Sequence, residues 1–293
     1  MKKIGFIGLG RMGFPMAENL LKMAGNLTVC RRPAAKSAAL EEKGAVIACS
    51  NRELAEKCEI IGLSLPGPAE VGSVVPELIE SAAEGTVLLD FSTVSPKLSR
   101  EMADQAAAKG VVYIDIPVSG GPAGAAGGKL SLMIGASEAE FTNLGLKPYT
   151  DTIGDKYFFM DGRGNGSAIK IINNYMAFAA QAINGEALAM ADALGISTEA
   201  FYEVTTKSSG NNMILNAKMA KIKTGNYEPG FALDLVVKDL ELGRQLCQDE
   251  QIPNFTLNTA LQLYRVAQSQ GCGKEDSSAV IRVIREMEKG NRA

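Results

Sequence analysis

Histidine is missing from all 293 residues of the chain. This absence excludes every Ser-His-Asp or Cys-His nucleophilic arrangement and every His-ligated zinc site. If the protein does acid–base chemistry, the proton carrier has to be Lys, Asp, Glu, Tyr or Cys. Cysteine is scarce too. Cys30, Cys49, Cys58, Cys247 and Cys272 form no CxxC pair and are odd in number, which speaks for reduced thiols and against a disulfide framework. The net charge is only −3, so no nucleic-acid or anionic-membrane footprint is expected. No apolar run approaches the ~18 residues of a spanning helix. The opening "MKKIGFIGLGR" is glycine-rich and stops at Arg11. It reads as a buried strand and a loop, and a cytoplasmic protein is expected.

What is present divides the chain in two. The first half alternates short apolar runs with alanine-rich amphipathic segments. The runs "KIGFIGL", "LTVC", "AVIAC", "EIIGLSL", "TVLLDF", "VYIDIPV" and "LSLMIG" are mostly continuous, as parallel strands covered on both faces are. Strand–helix alternation predicts an α/β Rossmann-type doubly wound sheet. From Ser167 to Leu194 there is no proline and one glycine, Gly185, which fits a single helix of ~40 Å. Beyond Gly195 every segment reads as helix, with Ser197 and Asp276 as candidate N-caps. The expected layout is a Rossmann domain over 1–163, a long connecting helix over 164–194 and an all-α domain over 195–293.

Gly8, Gly10 and Gly13 stand in G-x-G-x-x-G register between the first strand and a helix, the context that a dinucleotide fingerprint requires. Such a site normally carries an acid about 20 residues later for the ribose 2′-hydroxyl. None occurs between Glu18 and Glu41, and "LTVC" runs into Arg31 and Arg32. Guanidinium groups there suit a 2′-phosphate. NADP is therefore expected, with NADPH preferred over NADH. Small residues end two later strands, with Ser92, Thr93 and Ser95 in one case and Ser119, Gly120 and Gly121 in the other. Such residues suit close approach to a carboxylate. Lys170, Asn173 and Asn174 lie at i, i+3 and i+4 on the long helix, with Ser167 one turn before. In a chain without histidine, Lys170 is the best candidate to protonate a carbonyl that receives a hydride.

Five stretches in order, "GFIGLGRMGFPMA", "DFSTVSP", "DIPVSGGPAGAAGGKL", "GSAIKIINN" and "GFALDLVVKDLEL", resemble the β-hydroxyacid dehydrogenase family over essentially the full length. The resemblance implies Lys170 as acid/base and Asn174 as a catalytic partner that helps position substrate. Ser119, Gly120, Gly121, Asn173 and Lys238 would bind substrate. Gly8, Leu9, Gly10, Arg11, Met12 and Gly13 would hold the cofactor, together with Arg31, Arg32, Leu65, Pro66, Thr93 and Lys238. Asp239 would orient Lys238 or cap local structure. The two domains would straddle a cleft, and the all-α parts would build homodimers or homotetramers. The cousin family of 6-phosphogluconate dehydrogenase carries histidine where this chain has Asn173, which argues against phosphorylated sugar acids. The activity implied is NADP(H)-dependent interconversion of a short β- or γ-hydroxy acid and its semialdehyde, with no metal, membrane or nucleic acid involved. Imine reduction on the same fold and a non-catalytic NADP-binding module are the alternatives.

Overall fold

The structure, a computed structural model, describes residues 2–30 and 34–290, with side chains described as far as residue 287. The chain divides into two compact units, Met1–Lys170 and Ile171–Ala293.

In the first unit the apolar runs become strands β1 (Ile4–Ile7), β2 (Leu27–Cys30), β3 (Val46–Ala48), β4 (Ile60–Leu63), β5 (Val87–Asp90) and β6 (Val112–Asp115). They form one parallel sheet in the order β3-β2-β1-β4-β5-β6. The connecting helices are α1 (Gly13–Ala24), α2 (Ala34–Glu41), α3 (Asn51–Lys57), α4 (Pro68–Ser81) and α5 (Pro96–Ala107). Alternate strand residues feed two separate cores. Phe6, Val29 and Leu89 enter one, while Ile7, Ile61 and Leu88 enter the other. A sheet buried on both faces needs continuous apolar strands, which is what the sequence supplies.

One expected strand is split. "VYIDIPV" gives β6 and then, past Pro117, the separate β7 (Val118–Ser119). Proline has no N–H for the ladder and ends the parallel pairing there. A second sheet follows, with β8 (Leu130–Ile134) between β7 and β9 (Gly154–Phe159), antiparallel to the first and parallel to the second. So "LSLMIG" belongs to this smaller sheet, and β9, with exposed Asp155 and Lys156, was too polar to stand out. Short helices α6 (Gly121–Ala126), α7 (Glu138–Asn143) and α8 (Lys147–Thr150) link these strands.

The long helix α9 (Asn165–Ala193) starts in the first unit and ends in the second. Its start is fixed by one buried carboxylate. Gly164 N–H donates to Asp115 Oδ1 at 2.9 Å and Ser167 N–H to Oδ2 at 2.8 Å. Gly166 lies so close to the strand ends that a Cβ would come within 2.4 Å of the Met133 carbonyl oxygen. Only glycine fits there.

The second unit adds α10 (Thr198–Thr206), α11 (Met213–Thr224), α12 (Leu233–Asp249), α13 (Phe255–Ser269) and α14 (Ala279–Gly290). Ser197 caps α10, accepting from Ala200 N–H at 3.2 Å. Asp276, expected as an N-cap, lies three residues before α14 and anchors the turn that leads into it. It is fully buried, and its Oδ1 accepts from the Ser278 hydroxyl at 2.7 Å and from Lys218 Nζ at 2.8 Å, while Oδ2 accepts from Gly230 N–H at 2.8 Å. Burial pushes this carboxyl up, but the bonds from Lys218 and Ser278 outweigh it and hold the group at about 2.

Two outcomes are expected. Asp115→Asn has one acceptor oxygen for two N–H donors and should cost about 1–3 kcal/mol in urea unfolding, with faster hydrogen exchange at Gly164 and Ser167. For Asp276 the folded-state value lies below the unfolded one, so its contribution is present above pH ~4 and lost as pH falls toward 2. The stability gap between the native chain and Asp276→Asn should therefore shrink by about 2 kcal/mol over that interval, as measured by urea unfolding at each pH.

Candidate functional site

The loop after β1 is built as an anion cradle. Helix α1 starts at Gly13, its N-cap residue Met12 offers no side-chain acceptor, and its first turn contains no acid. Phe14 N–H donates to the Gly10 carbonyl at 3.2 Å, and the positive end of the helix dipole faces the loop, where it favours an anion. A Cβ on Gly13 would sit 1.8 Å from the Gly8 carbonyl oxygen, and Gly8 itself has φ +94°. Around Gly10 a Cβ would meet nothing within 4 Å, which leaves room for a phosphate against the backbone. Leu9 is buried and anchors the loop, Gly10 and Arg11 are exposed and Met12 is half-buried. These residues fit the pyrophosphate of a dinucleotide.

The sheet order brings two further loops alongside. β4 neighbours β1, and β5 neighbours β4, so the segments after these strands share the carboxyl edge at the point where the strand order reverses. Leu65 N–H donates to Ser92 Oγ at 2.8 Å, and Ser92 N–H donates to Asp90 Oδ1 at 2.9 Å. The Tyr113 hydroxyl donates to Asp90 Oδ2 at 2.7 Å, and burial together with that carboxylate pushes this phenol well up. Ser95 caps α5 through Leu98 N–H at 3.1 Å. Ser92 and Ser95 therefore serve the scaffold, while Leu65 and Thr93 stand half-buried and Pro66 exposed on the same edge. Arg31 and Arg32 follow β2 and lie outside the described residues.

Ser119 is half-buried and ends β7 opposite Ser131. Gly120 and Gly121 follow with φ of +131° and +66° and turn the chain into α6. Lys170 lies one turn beyond Ser167, whose hydroxyl is 2.9 Å from that of Ser99. Only 8 % of Lys170 is exposed.

In the second unit, Asn174 is 5 % exposed and Asn173 is exposed. Asn173 is the more exposed of the two asparagines, yet its Nδ2 donates to Asn174 Oδ1 at 3.4 Å, so the two carboxamides stay in contact. Asn174 Nδ2 donates to Asp239 Oδ2 at 2.6 Å. The other oxygen, Asp239 Oδ1, lies 2.8 Å from Lys238 Nζ, a contact with the distance of an ion pair but not the angles of a hydrogen bond. Asp239 is 2 % exposed and sits mid-helix in α12, where it faces Lys238 and does not cap the helix. With Nδ2 committed to Asp239, Asn174 Oδ1 is left as an acceptor, and it receives Asn173 Nδ2 at 3.4 Å.

Two aspartates matter more than the sequence patterns suggested. Asp115 closes an apolar strand, and Asp239 falls on the helix face shared by Val236, Leu240 and Gly243, all buried. A carboxylate set into an apolar period is the signal that could have marked both.

Among the described residues no group of acidic or cysteine side chains is arranged to hold a metal, and no helix is long and apolar enough to cross a membrane.

Comparison with known proteins agrees with this geometry. Residues 3–162 match the profile of the NAD binding domain of 6-phosphogluconate dehydrogenase. Residues 164–284 match the NAD-binding domain of NADP-dependent 3-hydroxyisobutyrate dehydrogenase. The chain is 40 % identical to 2-(hydroxymethyl)glutarate dehydrogenase of Eubacterium barkeri, over 97 % of this chain and 95 % of that one. It is 31 % identical to the mitochondrial 3-hydroxyisobutyrate dehydrogenase of Mus musculus, over 97 % and 88 % of the two chains. The solved structure of Mycobacterium tuberculosis 3-hydroxyisobutyrate dehydrogenase with L-serine superposes with a TM-score of 0.90 at 26 % identity, covering 97 % of this chain and 99 % of that one. The fingerprint loop, the strand order and the two matching profiles together make this chain a member of the β-hydroxyacid dehydrogenase family.

Proposed function

We propose that the chain is an NADP(H)-dependent oxidoreductase that interconverts a short hydroxy acid and its semialdehyde, with Lys170 as general acid/base. The observation that carries this reading is the buried Lys170 on a helix whose start is pinned by Asp115 and Ser99. A buried lysine held at a fixed turn is suited to give a proton as the ammonium, or to take one as the neutral amine, at one substrate atom. The nicotinamide, when bound, supplies or accepts the hydride. In the oxidative direction the carbinol carbon loses that hydride and the hydroxyl proton passes to Lys170 Nζ. In the reductive direction Lys170 protonates the carbonyl oxygen.

Asn174 offers an oriented acceptor, because Asp239 fixes its carboxamide. Lys238 adds positive charge, held by the same aspartate. Ser119 and the N–H groups of Gly120 and Gly121 are the proposed anchor for the substrate carboxylate. Asn173, exposed, is assigned the outer edge of that binding region. The substrates named for the relatives, 3-hydroxyisobutyrate and 2-(hydroxymethyl)glutarate, share a hydroxymethyl group on the carbon that bears a carboxylate. A substrate of the form HOCH2–CH(X)–CO2⁻ is therefore favoured, with X unspecified. The lysine and its asparagine are both intact, which favours a carbonyl substrate over an imine and turnover over mere cofactor binding.

The NADP assignment is supported by the missing acid between Glu18 and Glu41 and by Arg31 and Arg32.

Lys170→Ala should keep NADPH binding, read by fluorescence titration, and lose kcat by at least ~10²-fold. A near-native kcat would defeat the mechanism. The native chain should show about ten- to hundredfold higher kcat/KM with NADPH than with NADH, and Arg31→Ala with Arg32→Ala should erase that ratio by raising the KM for NADPH. Equal or better turnover of the native chain with NADH would remove the NADP assignment. A panel of 3-hydroxyisobutyrate, 2-(hydroxymethyl)glutarate, L-serine and their semialdehydes, with both cofactors, identifies X.

A further inference from the structure

Helix α6 has little with which to hold itself in place. Its six residues are Gly, Pro and Ala only, so no side chain larger than a proline ring reaches out to a neighbour. A helix this short carries the full cost of nucleation for few internal hydrogen bonds, and Gly124 weakens it further. Its N-cap, Gly120, makes no side-chain bond. Yet this helix begins at Gly121, the last residue of the proposed carboxylate anchor.

Two neighbours fix it from outside. Gly120 and Gly124, one turn apart, lie against Leu130 of β8, where a Cβ on either would stand 2.9 or 3.0 Å from Leu130 Cδ2. At the other end, the side chain of Asn19 on α1 takes up carbonyls that a helix terminus leaves without intrahelical partners. Asn19 Nδ2 donates to the Ala125 carbonyl at 3.0 Å and to the Ala126 carbonyl at 3.3 Å. It also lies 3.2 Å from the Thr152 carbonyl, in the turn before β9. Three acceptors around one atom require the amide nitrogen there and not its oxygen.

Helix α1 is a firm base for these bonds, because Met16, Ala17, Leu20 and Leu21 are buried in the core of the unit. Asn19 stands six residues along α1 from Gly13, a rise of ~9 Å. The path from the dinucleotide loop therefore runs along α1 to Asn19, across its bonds to the end of α6, and along α6 to Ser119, Gly120 and Gly121.

We infer that Asn19 is a positioning residue for the substrate: through α6 it sets the carboxylate anchor at a fixed distance from the dinucleotide loop. The inference rests on the reading of Ser119, Gly120 and Gly121 as that anchor. Asn19 acts through α6 and not on the substrate itself.

Asn19→Asp keeps the shape of the side chain, removes both donor hydrogens and sets a carboxylate against three carbonyls. In the full chain with NADP, the KM for whichever hydroxy acid of the panel is turned over should rise about tenfold or more. Over the same comparison kcat should stay within about threefold and the Kd for NADPH, by fluorescence titration, within about twofold. The inhibition constant of isobutyrate, which has the carboxylate but no hydroxyl to oxidise, should rise with the KM. Without any ligand, amide hydrogen exchange over residues 120–126 should quicken while that of the loop between β1 and α1 does not. Ser137→Ala removes the cap that Glu140 N–H donates to on α7, and it should lower stability without moving the KM. If Asn19→Asp fails to fold, Asn19→Ala is read in the same way. Unchanged exchange over 120–126, or a native KM in the folded variant, overturns the inference and leaves the oxidoreductase reading standing. So does a Ser137→Ala variant whose KM rises as much. A native chain that turns over none of the panel defeats that reading, and the inference with it.

Discussion

Asp115 is the residue on which the rest of the first unit's candidate site depends. It ends β6, is buried, and accepts the N–H groups of Gly164 and Ser167. Burial pushes its carboxyl up, and the two backbone bonds pull against that. An anion at this place also meets the positive end of the α9 dipole. The result is a helix start tied to a strand end at one point, with Gly166 too tightly enclosed to shift. Lys170 comes one turn later, so its position along the sheet edge follows from a bond made three residues earlier. A lysine on a loop would lack that constraint and would lose more side-chain freedom when it acts.

A second carboxylate plays the matching part in the second unit. Asp239 interrupts the apolar face of α12, and each of its oxygens has a different duty. One receives the Asn174 amide and the other faces the Lys238 ammonium. An unpaired carboxylate at 2 % exposure would carry a large desolvation penalty. The pairing removes much of that penalty and leaves two polar groups with fixed directions. Asp276 shows the purely structural version of the same device, since its partners serve to join Gly230, Lys218 and the approach to α14.

Much of this was legible in the sequence, because it follows from period and punctuation. The continuous apolar runs marked the parallel strands, Gly8, Gly10 and Gly13 marked the tight loop between β1 and α1, and the proline-free stretch after Ser167 marked α9. The places where reading failed have physical causes. Pro117 divided one apolar run between two sheets, and periodicity alone does not reveal that division. β9 alternates half-heartedly because one face is exposed. Adjacency on a helical wheel places Asn173 and Asn174 near Lys170, but it does not say that Asn174 is buried while Asn173 stays exposed and donates to it. The hydrogen bond from Asn174 to Asp239 joins residues 65 apart in sequence, and no local pattern encodes such a pair.

The composition of α9 follows from the number of surfaces it serves. Asn is a poor helix former, by roughly half a kcal/mol or more relative to Ala, so Asn173 and Asn174 weaken the helix locally. Asn174 is repaid through a charge-assisted bond to a buried carboxylate, worth roughly 1.5–3 kcal/mol. The exposed methionines and isoleucines have no such local return. Each leaves apolar area in water that burial would stabilise at about 25 cal/mol per Å², and a Lys or Glu at the same position would keep the helix propensity without that penalty. From Ile171 to Ala191 the one charged side chain is Glu186, so the exposed side of α9 carries far less charge than a helix that only joins two units and presents one lysine could hold.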